Sequence, residues 1–138
     1  MDKKNKKNRA IVRVFETYCG VELVIANKYA TLKDLSNYVY SDGDPLEKDD
    51  ESFDASTTKV MNKTTRRKAI LVRLNDISCP KGTSKLSRAV QISVHEATHV
   101  VLMLYQHMGE HVSLDYQEPT CYLIDDIALK IFETFTAK

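Results

Sequence analysis

A chain of 138 residues, 43% hydrophobic and 28% charged, is long enough for one folded domain and too ordinary in composition for a collagenous, low-complexity or disulfide-stapled protein. No apolar run approaches the roughly 20 residues that cross a bilayer, and the basic start MDKKNKKNR lacks the apolar stretch and cleavage site of a signal peptide. No membrane segment and a cytoplasmic location are therefore expected.

The formal net charge of +1 conceals three blocks. Lys3, Lys4, Lys6, Lys7 and Arg9 form a basic tail, which reads as a disordered, solubilising end over residues 1–9, ahead of a single domain over 10–138. Asp42, Asp44, Glu47, Asp49, Asp50, Glu51 and Asp54 form an acidic stretch, and Lys59, Lys63, Arg66, Arg67 and Lys68 a second basic block. Neither basic block carries interleaved aromatic residues or a recognised motif, so nucleic acid is not expected as a partner. The three cysteines, Cys19, Cys79 and Cys121, are far apart and none has CxxC spacing; reduced, buried or half-buried thiols are expected rather than a disulfide or metal site.

In chain order, Ala10 to Tyr18 (AIVRVFETY) and Val21 to Ala26 (VELVIA) alternate apolar and polar residues and are rich in β-branched and aromatic types, which predicts two strands joined through Cys19-Gly20. Thr31 precedes Leu32, Leu35 and Val39 at helical spacing, with Asp34 in a capping-box position, and predicts a short helix ending before Asp42-Gly43. Residues 41–62 are polar and contain Pro45, so a long mobile loop is expected, acidic over about 41–58, with a short strand near Thr58 to Met61. Its stretch SDGDPLEKDDESFD departs from the calcium-loop pattern and reads as a solvated segment attracted to the basic block after it. Lys68 to Leu74 (KAILVRL) returns to a strand pattern.

From Leu86 to Met108 (LSRAVQISVHEATHVVLMLYQHM) the chain has no Pro or Gly and ends at Gly109, which predicts one helix buried almost all round. Inside it lies His95-Glu96-Ala97-Thr98-His99, an HExxH motif. Histidines at i and i+4 sit one turn apart on one helix face, so both imidazoles can reach one tetrahedral zinc ion. Glu96 is then placed to take a proton from a metal-bound water. Buried His and Glu side chains without partners would be costly, and a metal supplies the partner.

A catalytic zinc needs a third protein ligand and an open position. Leu102 and Tyr105 stand where the metzincin continuation demands Gly and His, which excludes that class. His107 lies on the same helix, roughly 12 Å along its axis from His99, and cannot share the ion. Two candidates remain: Glu118, at the start of a second helix running to about Phe135, and His111, just past Gly109. Glu118 also completes an acidic capping box with Asp115, and Pro119 disfavours helical geometry at Glu118. Tyr122, one turn beyond Glu118, could donate its hydroxyl to a developing oxyanion, while Tyr116, Asp125 and Asp126 are further polar residues on that side.

The expected fold is therefore α+β: a small antiparallel or mixed sheet packed on the HExxH helix, with a second C-terminal helix. The HExxH helix after a small sheet resembles the catalytic core of the zincin metallopeptidases, and a glutamate from a following helix is what their gluzincin branch uses. That resemblance implies a peptide held by addition to an edge strand, for which Ala69 to Leu74 stands in the right place, although a plain core strand fits those residues equally. The pattern His95-Glu96-x-x-His99, Gly109, Glu118-Pro119-x-x-Tyr122-Leu123 is also similar to short HExxH proteins of bacterial viruses and prophages, over the C-terminal part of the chain alone. Together these imply a zinc metallopeptidase with His95, His99 and Glu118 on one zinc ion, Glu96 as general base, Tyr122 as a helper, and a peptide or protein as substrate. The alternative is a zinc-stabilised interaction or structural protein that performs no hydrolysis, since so short a chain has little room for a second subdomain to wall a cleft.

Overall fold

A computed structural model describes residues 8–137, so Lys3, Lys4, Lys6 and Lys7 of the basic tail lie outside the described residues. Five strands, β1 (Val12–Glu16), β2 (Glu22–Ala26), β3 (Tyr38–Tyr40), β4 (Ala55–Asn62) and β5 (Lys68–Leu74), precede two helices, α1 (Lys85–Met108) and α2 (Glu118–Thr136). The strands form one mixed sheet in the order β1-β2-β5-β4-β3, antiparallel except for the β2–β5 pair. The α+β arrangement thus matches the architecture expected above.

Alternation along the strands divides the interior in two. Leu23, Ile25, Ile70, Val72 and Leu74 face the helices and share one cluster with Ala97, Val100, Val101 and Leu104 of α1 and Ile127 and Ile131 of α2. On the opposite face Val24, Ala26, Val60, Ala69 and Leu71 pack with Leu35 and Tyr38. β5 lies between β2 and β4, and its residues from Ala69 to Leu74 are buried. It is a core strand and not a substrate-holding edge, because both of its hydrogen-bonding sides are already paired.

α1 begins at Ser84, whose side chain accepts a hydrogen bond from the Ser87 amide, and stops at Gly109 in the left-handed conformation (φ 68°). It is not buried all round: Val90, Val94 and Leu102 are 46–48% exposed, and His95 and His99 are exposed too. The other outcome that differs from expectation lies at Thr31. Its capping-box contacts with Asp34 form, with the Thr31 amide donating to Asp34 Oδ2 at 2.8 Å, yet residues 32–37 are successive turns and not a helix. A helix of that length does not repay its nucleation cost, and pairing of Tyr38–Tyr40 with β4 extends the chain instead.

Residues 41–54 are held by specific contacts. Val39 bridges Pro45, Arg73 Nη1 donates to the Glu47 carbonyl at 2.6 Å, and Asn75 Nδ2 donates to Asp49 Oδ2 at 2.9 Å. The acidic stretch therefore pairs with Arg73 and Arg88 from other elements, not with the basic block that follows it. β4 starts at Ala55 and is longer than the short strand expected, because the β4–β5 ladder fixes even its polar residues as strand. Of the cysteines, Cys19 is half-buried but Cys79 and Cys121 are exposed; all three are free thiols.

The second face carries a buried carboxylate. Glu22 accepts from the Tyr38 hydroxyl at 3.1 Å and from Asn62 Nδ2 at 3.3 Å. Burial, then the bond to Glu22, push the Tyr38 phenol up to about 12. A raised phenol favours the fold fully below the ordinary pKa of about 10, and that contribution is lost as pH rises toward 12. Tyrosinate absorbance should show one late-titrating phenol that disappears in Tyr38→Phe. Replacing fully buried Leu104 by Ala should cost about 2–5 kcal/mol in urea unfolding, whereas Leu102→Ala on the exposed side should stay within about 0.5 kcal/mol.

Candidate metal and catalytic site

The helical repeat places the HExxH residues on two adjoining faces of α1. Ala97, Val100, Val101 and Leu104 turn into the core, Glu96 turns toward β4, and His95 and His99 turn outward. The two rings meet edge to face with centroids 4.8 Å apart, and the Nε2 atoms stand 3.2 Å from each other. Two nitrogens on a tetrahedral zinc, each at about 2.0–2.1 Å, would be about 3.3 Å apart. The pair therefore fits two ligands of one such ion.

Glu96 is 6% exposed, and its Oε2 accepts a hydrogen bond from the Thr57 hydroxyl. Thr57 lies on the helix-facing side of β4, opposite Val72 in the β4–β5 register, so the ladder itself positions the hydroxyl. This partner was not foreseen from sequence: Thr57 falls inside the polar segment that reads as a loop, and only the long-range pairing with β5 reveals its direction. His95 and Glu96 line one open cavity of about 500 Å³ together with Asp54 and Arg88. There Arg88 Nη2 donates to Asp54 Oδ2 at 2.9 Å. Burial pushes the Asp54 carboxyl up, but the Ser78 amide and the Arg88 guanidinium outweigh it and hold the group below the usual carboxylate range.

The C-terminal part of the expected site is not gathered around this pair. Among the described residues, no group of three or more His, Cys, Asp or Glu side chains is placed to hold a metal ion. Tyr105 and Thr120 are joined through their hydroxyls at 2.7 Å, while Leu86 and Ala89 share a cavity with Thr134 and Phe135, so the helices run antiparallel with the start of α2 beside the end of α1. His99 lies six residues before Tyr105, about 9 Å along the axis, which leaves Glu118 level with the far end of α1. Nor does Asp115 cap α2: Gln117 is the N-cap residue, and its side chain donates back to the Leu114 carbonyl and does not cap the helix, while the Tyr116 amide bonds to Ser113 Oγ.

Tyr122 is 68% exposed and outside the cavities that His95, Glu96 and His99 line. Tyr116 and Asp125 are exposed as well, and Asp126 pairs with Lys130. His111 does share a second open cavity, of about 600 Å³, with His99.

The strand beside Glu96 has an open side. Asn62 and Arg67 exchange a backbone bond, as do Asp54 and Asn75, so the even residues of β4 bond toward β5 and Ala55, Thr57 and Lys59 direct their N–H and C=O groups away from it. β3 covers only Val60–Asn62 on that side. No protein-family model matches the chain, and it matches neither a curated protein nor a solved structure at a significant level. No helix among the described residues is long and apolar enough to cross a membrane.

The Thr57–Glu96 contact makes a specific prediction. Thr57→Val keeps the shape but leaves a buried carboxylate oxygen without its donor, and should lower stability by about 1–3 kcal/mol in urea unfolding, while Thr57→Ser should stay close to wild type.

Proposed function

We propose that the chain is a zinc-dependent hydrolase of peptide bonds, of the zincin-like type that its HExxH helix resembles. The observation that carries this reading is the approach of His95 Nε2 and His99 Nε2 to 3.2 Å beside the carboxylate of Glu96. A zinc ion held by these imidazoles and one further donor would polarise a scissile carbonyl and bring the pKa of a water toward about 7. Glu96 serves as the general base and returns the proton to the leaving amine. Thr57 fixes one carboxylate oxygen of Glu96, which restricts the proton-carrying role to the other. The outward backbone groups of Ala55 and Thr57 suit a peptide added as a further strand, next to Glu96.

The further donor is Glu118 or His111. His111 already lines a cavity with His99, whereas Glu118 reaches the pair only if the connection before α2 moves. The separation of Glu118 and Tyr122 from the imidazoles is the observation that favours the second reading, a phage-type protein that binds zinc for stability or interaction and hydrolyses nothing.

Elemental mass spectrometry of protein supplied with zinc should find about one ion per chain, lost in His95→Ala and His99→Ala; a metal-free wild type would overturn both readings. Loss in Glu118→Ala or in His111→Ala identifies the third ligand. Glu96→Gln should keep the zinc and lose peptide hydrolysis, and unchanged hydrolysis in that variant removes Glu96 from the mechanism.

A further inference from the structure

Arg73 is a charged residue in the middle of an apolar strand. It stands in β5 between Val72 and Leu74, is 8% exposed, and by alternation shares the second face of the sheet with Ala69 and Leu71. Its Nη1 donates to the Glu47 carbonyl at 2.6 Å, but its Nε–H is buried and has no hydrogen-bond partner among the described residues. Asp49 Oδ1 stands 3.9 Å from that nitrogen, beyond hydrogen-bonding distance, and accepts from the Ser56 hydroxyl, while Asp49 Oδ2 accepts from Asn75. A buried guanidinium donor left unpaired is costly, and an incoming acceptor removes that cost.

The surroundings of Arg73 leave room for such an acceptor. β2 and β5 run parallel, with Ala26 opposite Arg73 near their carboxyl ends. Beyond these ends the chain parts: the turns after β2 cross the second face, where Leu35 packs, whereas β5 leads on to α1 on the other face. Divergence of this kind opens a crevice at the strand ends. Here it is a cavity of about 460 Å³ whose lining includes Ala26, Tyr29, Leu32, Leu35, Lys33 and Arg73. That volume suits a small organic molecule. The charges around it set its sign, since Lys28 pairs with Asp76, Lys48 with Glu51 and Arg73 with Asp49, while Lys33 forms no ion pair among the described residues. One positive charge is left over.

We infer that this cavity binds a small monocarboxylate with an apolar body, its carboxylate on the Nε edge of Arg73 and its apolar part against Ala26, Leu32 and Leu35. The guanidinium fork matches a planar carboxylate in shape as well as charge. One surplus cation balances a single negative charge, and Asp49 and Glu51, which also line the cavity, oppose a dianion such as a phosphate monoester. The site lies across the sheet from the helix that carries His95 and His99, and it needs no metal.

The test is titration of the full chain with benzoate and, separately, with phenyl phosphate, followed by calorimetry and by the proton–nitrogen correlation signal of the Arg73 Nε–H. Benzoate should bind at millimolar concentration, shift that signal and raise the melting temperature, with phenyl phosphate about five-fold weaker. Lys33→Glu, on the exposed rim, should weaken benzoate about five-fold, the size of one partly solvated ion pair, with the urea midpoint unchanged. Arg73→Lys, which keeps the charge and loses the fork, should abolish binding; if that variant does not fold, Lys33→Glu still decides. An Arg73 Nε–H signal that moves in Asp49→Asn but not with benzoate assigns the donor to a plain ion pair and overturns the site. Benzoate binding indifferent to Lys33→Glu overturns it as well, and tighter binding of phenyl phosphate overturns the carboxylate class.

Discussion

Everything at the HExxH motif depends on how α1 is seated. Ala97, Val100, Val101 and Leu104 are fully buried, so the helix has one rotational setting against the sheet and α2. A turn of about 100° per residue then leaves no freedom to the neighbours: Glu96 must meet β4, and His95 and His99 must look outward together. The chemistry-bearing residues owe their directions to apolar side chains that take no part in chemistry. Because interiors are densely packed and tolerate little rotation, this seating holds the imidazole pair without a dedicated support of its own.

The same constraint explains why Glu96 differs from its two companions. It sits where the core ends and β4 begins, so it is removed from water and needs a donor, which Thr57 supplies. The histidines are exposed and need no protein partner to be stable. The burial argument raised from sequence for all three residues holds for the glutamate alone.

How much of this was legible in the sequence follows from the range of each interaction. β1, β2, β5 and both helices carry strong local periodicity, and they fold where Ala10–Tyr18, Val21–Ala26, Lys68–Leu74, Leu86–Met108 and the stretch after Glu118 suggest. The first part of β4 was hidden, since Ala55, Ser56 and Thr57 become strand only through pairing with β5, whereas the strand expected near Thr58 to Met61 forms. Thr31–Asp34 shows the opposite failure: the local contact is real, but it caps a turn. At the site, the i and i+4 histidines are a local relation and come together, whereas Glu118 depends on the path of the connection between the helices, which no spacing rule encodes.

The parallel β2–β5 pair has a consequence for how the chain reaches this structure. β3, β4 and β5 follow one another as neighbours, β4 and β5 through a short turn and β3 and β4 through residues 41–54, but Glu22 must find Ala69 across all the intervening chain. The entropy of closing that long loop is spent before the contact returns anything, so non-local pairing of this kind slows folding relative to the local meander. β5 thus gains its second neighbour at the greatest entropic cost in the sheet, and the face on which α1 and α2 settle is complete only once that crossing has been made.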